Sequence, residues 1–329
     1  MSQNNSTILY AGLDVAKATL QLDLRGVSYS LHNTKKDHAR ILRLLAEAEA
    51  AAPAGTRIQV VLEATGGYEA ALVAALHAAG RPVSVIQPAR ARHFAGARAE
   101  HAKTDPIDAE VLTAFGEAMR PAPTPAPGAA QSHLAVLVGR RAQLVTMRVA
   151  ELNHAEHYSD KLLCKQSGQL LALLERQIAA CERAIAAQLA EDADMAARAA
   201  RVQEVPGIGP TVAAILQAQM PELGTLRDGQ AAALAGLAPY NRDSGSRQGI
   251  RFIRGGRASV RCALYMAALS TIRHDPILRV FYQRLRAAGK VKMVALTAVM
   301  RKLIVLLNRL LANPGFQLRG TAPAPAPAP

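Results

Sequence analysis

Tryptophan is absent from this sequence, and aromatic residues make up only 4% of it. Platforms of aromatic rings for stacking unpaired bases are therefore not an obvious device here. Cysteine is scarce: Cys164, Cys181 and Cys262 lie far apart, without metal-type spacing. That argues against a disulfide framework and a zinc site, and fits buried thiols in a reducing compartment. Charge interrupts every apolar run before it reaches membrane-spanning length. The polar, uncharged start from Met1 to Thr7 makes no signal peptide. There is no Gly-x-x-x-x-Gly-Lys-Ser/Thr loop, and so no sign of a nucleotide-driven motor. The expectation is a soluble, cytoplasmic, nucleoid-associated protein with no membrane partner.

What is abundant is positive charge, +14 over 329 residues. Residues 241–309 hold fifteen Lys/Arg against Asp243 and Asp275, a net of +13, and Arg319 adds one more. The other 23 basic and 23 acidic residues all precede position 241 and cancel. A neutral N-terminal part is thus joined to a strongly basic C-terminal part, which suggests a polyanion partner such as nucleic acid.

The pattern predicts strands over Ile8–Asp14, Thr19–Leu24, Val27–His32, Arg57–Leu62 and Pro82–Ile86, with helices over Lys36–Ala52 and Glu69–Ala79. Another helix follows the fifth strand. This order implies a mixed α/β sheet covered by helices over residues 1–120. Residues 121–130, rich in Pro and Ala, read as an extended, semi-rigid linker. Two long helices, Gln131–Tyr158 and Gln166–Ala190, form an arm over 131–195 with a break near Cys164. Leu170, Leu174, Ile178, Ile185 and Leu189 make its apolar stripe, which serves either a bundle within one subunit or self-association. Residues 196–318 are mostly helical and basic, and 319–329 are an Ala-Pro tail.

Lys103-Thr104-Asp105-Pro106-Ile107-Asp108 places two carboxylates on one face of a helix start, with proline where a first turn tolerates it. Alone, the pair reads as a cap and a dipole partner. Asp14 on the first strand and Glu63 at the end of the fourth add two further acids. Central strands could bring all four together, and such oxygen ligands suit Mg²⁺ or Mn²⁺ in phosphoryl transfer.

Val205-Pro206-Gly207-Ile208-Gly209-Pro210-Thr211 matches a helix-hairpin-helix loop. Gly207 and Gly209 permit the tight turn, and amides at the next helix start can hold a phosphate. Further on, Arg242, Arg247, Arg251, Arg254, Arg257 and Arg261 crowd a loop containing Ser244 and Ser246. Guanidiniums suit phosphate binding, and a serine among them is a plausible phosphoryl nucleophile. Tyr240 and Ser246 compete with Ser244 for that role.

Taken together, these blocks resemble insertion-sequence transposases with a RuvC-like Asp-Glu-Asp-Asp domain (Piv-like), a group that includes bridge-RNA-guided serine recombinases. The resemblance runs through Gly12-Leu13-Asp14-Val15-Ala16-Lys17, Glu63-Ala64-Thr65-Gly66-Gly67-Tyr68, the Asp105/Asp108 segment, Pro206-Gly207-Ile208-Gly209, Gly236-Leu237-Ala238-Pro239 and Ser244-Gly245-Ser246. It implies an α/β RNase H-like (RuvC-like) N-terminal domain, an all-α region with a long helical arm, and a mostly helical C-terminal transposase domain. It also implies a metal tetrad of Asp14, Glu63, Asp105 and Asp108, with Ser244 as nucleophile through a 5′-phosphoserine intermediate. The implied partners are target and donor DNA, a noncoding bridge RNA, and further copies of the chain, dimeric or tetrameric. Two alternatives stand beside this reading: a RuvC-like junction-resolving endonuclease without a covalent intermediate, and a non-catalytic RNA- or DNA-binding protein.

Overall fold

The computed structural model describes residues 7–98, 105–241, 249 and 251–318. Arg242, Ser244, Ser246, Arg247 and the Ala-Pro tail lie outside the described residues. The chain divides into two compact units, Met1–Ala126 and Pro127–Pro329.

The first unit is the expected mixed sheet. Its strands are β1 (Ile8–Val15), β2 (Thr19–Leu24), β3 (Val27–His32), β4 (Arg57–Glu63) and β5 (Val83–Ile86), in the spatial order β3-β2-β1-β4-β5. β1 pairs antiparallel with β2 and parallel with β4, so the sheet changes direction at its centre. Side chains alternate across the pleat. Leu13, Val15, Ile58, Val60 and Leu62 turn to one face, under Ile41 and Leu45 of α1 (Lys35–Ala50) and Leu72 and Leu76 of α2 (Ala70–Ala78). Val61 turns to the other face, onto Ala91 of α3 (Pro88–Ala97) and Leu112 and Phe115 of α4 (Asp105–Met119). α3 is a helix that the pattern did not separate from α4.

The Pro-rich stretch is not free over its whole length. The Thr124 amide donates to the Val83 carbonyl at 2.7 Å, and Thr124 Oγ1 accepts from the Val85 amide at 3.0 Å. Gln59 Nε2 donates to the Pro121 carbonyl at 2.7 Å. The segment therefore satisfies the outer edge of β5, an edge that would otherwise be open to a foreign strand. Proline suits that place because it lacks the donor an interior strand needs.

The second unit begins with the arm, α5 (Ala129–Ala155) and α6 (Lys161–Glu191), antiparallel to each other. The break falls at residues 156–160 rather than near Cys164. The Asp160 carboxylate caps α6 by accepting from the Leu162 and Leu163 amides at 2.8 and 3.1 Å. No Gly or Pro marks that turn, which is why the pattern placed it late. The helices α7 (Ala193–Gln203), α8 (Pro210–Gln219) and α9 (Asp228–Leu234) follow. A small antiparallel pair comes next, β6 (Pro239–Tyr240) and β7 (Phe252–Ile253). The chain then continues through α10 (Ala258–His274), α11 (Pro276–Ala287) and α12 (Lys292–Ala312). Val299, Leu303, Ile304, Leu307 and Leu310 of α12 are fully buried against Leu264 and Ala268 of α10 and Leu216 of α8.

The base of the arm packs inside the subunit: Leu134, Val138 and Ile185 meet Ala214 and Ala218 of α8. Leu144, Leu174 and Ile178 continue the seam between α5 and α6. Nearer the turn, Met147, Leu152, Leu162, Leu163 and Leu170 are each at least 40% exposed.

Among the described residues, no helix is long and apolar enough to cross a membrane.

Candidate active site

Why four acids could share one place follows from register and helix packing. The parallel register of β1 with β4 runs to Leu13 opposite Leu62, and Asp14 and Glu63 are the next residues on each strand. Neighbouring strands lie roughly 4.8 Å apart. With period two, Asp14 shares a face with Gly12 and Glu63 shares one with Val61. That is the face covered by α4.

α4 descends along β1. A methyl group on Gly12 would come within 1.9 Å of the Ala109 carbonyl, and one on Gly116 within 2.6 Å of the Tyr10 ring. Following α4 upward from Ala109 reaches Asp108 and Asp105 in its first turn, as following β1 upward from Gly12 reaches Asp14. The close approach needs glycine at position 12, because backbone stands where a side chain would go. The acids thus gather toward one end and one face of the sheet. The α4 N-terminus there favours negative charge.

Asp14, Glu63 and Asp108 are half-buried and Asp105 is exposed. Asp14, Glu63 and Asp108 each already take part in an interaction. Among the described residues, no three His, Cys, Asp or Glu side chains stand close enough together to hold a metal ion. The donor set, all carboxylate oxygen, nonetheless suits a hard divalent cation.

One buried acid was missed by sequence reasoning. Asp23, on β2 opposite Gly12, is 6% exposed and accepts from Thr113 Oγ1 at 2.5 Å. Thr113 Oγ1 in turn accepts from the Gly12 amide at 2.8 Å. This three-member chain fastens α4 to β1 and β2 directly below the acids. Asp23 sits in an alternating strand and looked like an outward polar residue; only the helix laid over that face makes it internal.

The loops leaving Asp14 and Glu63 are also tied down. Asn33 Nδ2 donates to the Ala16 and Tyr68 carbonyls at 3.0 and 3.1 Å. Asn33 Oδ1 pairs with His38 Nε2 at 2.8 Å. Burial holds the His38 ring below its ordinary pKa, against the opposing pull of Asp37. In the loop after Glu63, Gly66 and Gly67 adopt φ of 76° and 113°. Glu69 closes that loop by accepting from Thr65 Oγ1 and the Gly67 amide, each at 2.9 Å. Burial works to raise the Glu69 carboxyl, but hydrogen bonds from its own amide, Thr65 and Gly67 outweigh it and hold the group below the ordinary value.

In the basic unit the expected contacts sort differently. Gly207, at φ 96°, leaves room for Thr271: a methyl there would lie 2.4 Å from Thr271 Oγ1. Its glycine is thus explained by packing, whereas a methyl on Gly209 would meet nothing within 4 Å. Arg257 pairs with Glu222 at 2.5 Å, and Arg261 donates to the Gly255 carbonyl at 2.7 Å. Arg254 lies over the Tyr240 ring, 5.1 Å from its centre. Arg254 thus rests on β6, Arg261 holds the turn after β7, and Arg257 ties the start of α10 to the loop between α8 and α9. Arg251 donates to the Gly249 carbonyl at 2.8 Å.

Comparison with known proteins gives two family matches in succession. A model described as a transposase covers residues 11–161, and one described as a transposase of the IS116/IS110/IS902 family covers residues 199–283. An insertion element IS110 protein of 43.6 kDa from Streptomyces coelicolor is 34% identical over 120 residues, 34% of this chain and 28% of that protein. An insertion element IS116 protein from Streptomyces clavuligerus is 33% identical over 161 residues, 48% of this chain and 39% of that protein. The chain thus spans less than half the length of these two relatives. A pilin gene-inverting protein from Moraxella lacunata is 24% identical over 318 residues, 90% of this chain and 94% of its own. The chain belongs to the IS116/IS110/IS902 transposases of insertion sequences, with their RuvC-like Asp-Glu-Asp-Asp domain.

Proposed function

We propose that this chain is a DNA recombinase of its insertion element, cutting and rejoining DNA through a covalent serine link. The observation that carries the proposal is the placing of β1, β4 and the α4 first turn, which brings Asp14, Glu63, Asp105 and Asp108 toward one end and face of a sheet. A strongly basic second unit accompanies it. The pilin gene-inverting relatives, aligned over nearly their whole length, support a reaction that rearranges DNA.

In this reading Asp14, Glu63, Asp105 and Asp108 hold Mg²⁺ or Mn²⁺, which supplies charge neutralisation at the scissile phosphate. Ser244 gives up its proton, and its Oγ forms a bond to phosphorus. The bond from phosphorus to the 3′ oxygen breaks. That oxygen departs as a 3′-hydroxyl, leaving a 5′-phosphoserine. Attack by a 3′-hydroxyl in the reverse sense rejoins the strand, so the energy of the phosphodiester is kept throughout. Arg242, Arg247 and Arg251 steady the phosphate. A structured noncoding RNA guides the choice of DNA. Copies of the chain assemble through the exposed leucines of the arm, with acids and serine supplied to one phosphate by different subunits.

A recombination reporter carrying the DNA that flanks the gene tests the acids. Asp14→Asn, Glu63→Gln, Asp105→Asn and Asp108→Asn should each lower the recombinant frequency by at least roughly a hundred-fold, the upper range for losing even an outer-shell partner of a metal. Activity of Asp14→Asn within a few-fold of wild type would overturn the tetrad. A junction-resolving nuclease would keep cutting when Ser244 is replaced by Ala.

A further inference from the structure

Beside the β6/β7 pair, which brackets the serine-bearing segment along the chain, lies a groove of about 710 Å³. Its floor is apolar: Phe252, Tyr265, Met266, Met293 and Val294 line it, from β7, α10 and α12. Met266, Met293 and Val294 are 62%, 57% and 52% exposed, so they form an open face rather than a core. Three guanidiniums, Arg251, Arg261 and Arg301, also line the groove, and no Asp or Glu does among the described residues.

From this we infer that the groove holds an unpaired nucleotide of the DNA next to the scissile phosphate, with its base on the apolar floor and its phosphates on the arginines. The inference rests on the recombinase reading and adds a binding site to it. Charge complementarity selects the occupant. A rim of three arginines without a carboxylate suits a polyanion, while a floor of two rings and two thioethers suits a flat apolar face. Only an unpaired nucleotide presents both at once, because duplex bases are stacked away from such a floor. The volume is in the range of pockets that enclose small ligands, roughly 300–1,000 Å³. The position is also chemically apt. Strand exchange leaves nucleotides beside the break without partners, and a stacked base there would fix the broken end. Although the chain is poor in aromatics, Phe252 and Tyr265 both contribute to this groove.

The missing tryptophan supplies the test. Met293→Trp, made in the full chain with Ser244→Ala, places the only indole of the protein in the groove. A short oligothymidylate is compared with an abasic oligomer of the same length and phosphate count. The expected result is saturable quenching by the oligothymidylate and about ten-fold weaker binding of the abasic oligomer, since one stacked base contributes that order of affinity. Leu162→Trp, on the arm, should show no quenching. Val294→Glu, at an exposed position that leaves the core untouched, should weaken oligothymidylate binding by about ten-fold. Equal affinity for the two oligomers, or binding without quenching in Met293→Trp, would overturn the site. So would a smaller sedimenting species for Val294→Glu with unchanged oligonucleotide affinity, which would assign the groove to a second copy of the chain. The readout is binding alone. Its failure leaves covalent adduct formation intact, and failure of the adduct leaves the quenching intact.

Discussion

At the scale of single residues, what sets the position of the acids is the close approach of α4 to β1. Gly12 admits the α4 backbone, and Thr113 locks it there by donating to buried Asp23. Thr113→Val keeps the shape but leaves Asp23 without that donor. The expected cost is roughly 1–3 kcal/mol in chemical denaturation, with α4 loosened over the site. A loss below about 0.5 kcal/mol would mean that the chain of bonds does not secure the helix. Gly12→Ala drives a methyl into the Ala109 carbonyl. A backbone atom cannot swing aside, so destabilisation of at least roughly 1–3 kcal/mol is expected, with recombination lost at temperatures where the unit still folds. The carboxylates themselves were legible in the sequence, since they fall at strand ends and a helix start. Asp23 was not legible, because a polar residue in an alternating strand looks solvent-facing until a helix from ninety residues away is laid over it.

At the scale of elements, the loops beyond Asp14 and Glu63 are held as a pair by Asn33, with His38 behind it. The folded pKa of His38 is lowered by burial, so the unfolded chain binds more protons as pH falls. Stability from this group is fully present above the ordinary histidine pKa of about 6.5, and is lost as pH falls through that value toward the folded pKa. The urea midpoint should therefore drop between about pH 7.5 and 5.5, and His38→Gln should flatten that slope. A slope unchanged in His38→Gln would assign the effect elsewhere. The succession of strands and helices along the chain and the two arm helices were readable from periodicity, whereas the spatial order of the strands was not. The break between α5 and α6 and the docking of Thr124 on β5 were not. A single Asp cap carries little pattern, and a Pro-rich stretch reads as linker whether or not an edge strand receives it.

At the scale of the whole molecule, the structure divides the chain between Ala126 and Pro127, whereas the excess positive charge begins only near residue 241, so the second unit holds both a charge-balanced helical part and the basic one. The arm has one half buried in the seam and another whose leucines are exposed. Leu174, buried in the seam, should cost roughly 2–5 kcal/mol when replaced by Ala. Leu163→Glu with Leu170→Glu, at exposed positions, should leave the melting unchanged and lower the sedimenting mass. An unchanged mass would remove the arm from assembly. In the proposed reaction, the covalent step is the one that needs both the acids and Ser244. The decisive measurement is denaturing electrophoresis of the full chain incubated with Mg²⁺, its RNA and labelled DNA flanking its gene, followed by mass spectrometry of the protein–DNA adduct. The adduct should map to Ser244 and disappear in both Ser244→Ala and Asp14→Asn. Cleaved DNA without any linked protein, or an adduct that persists in Ser244→Ala, would contradict it.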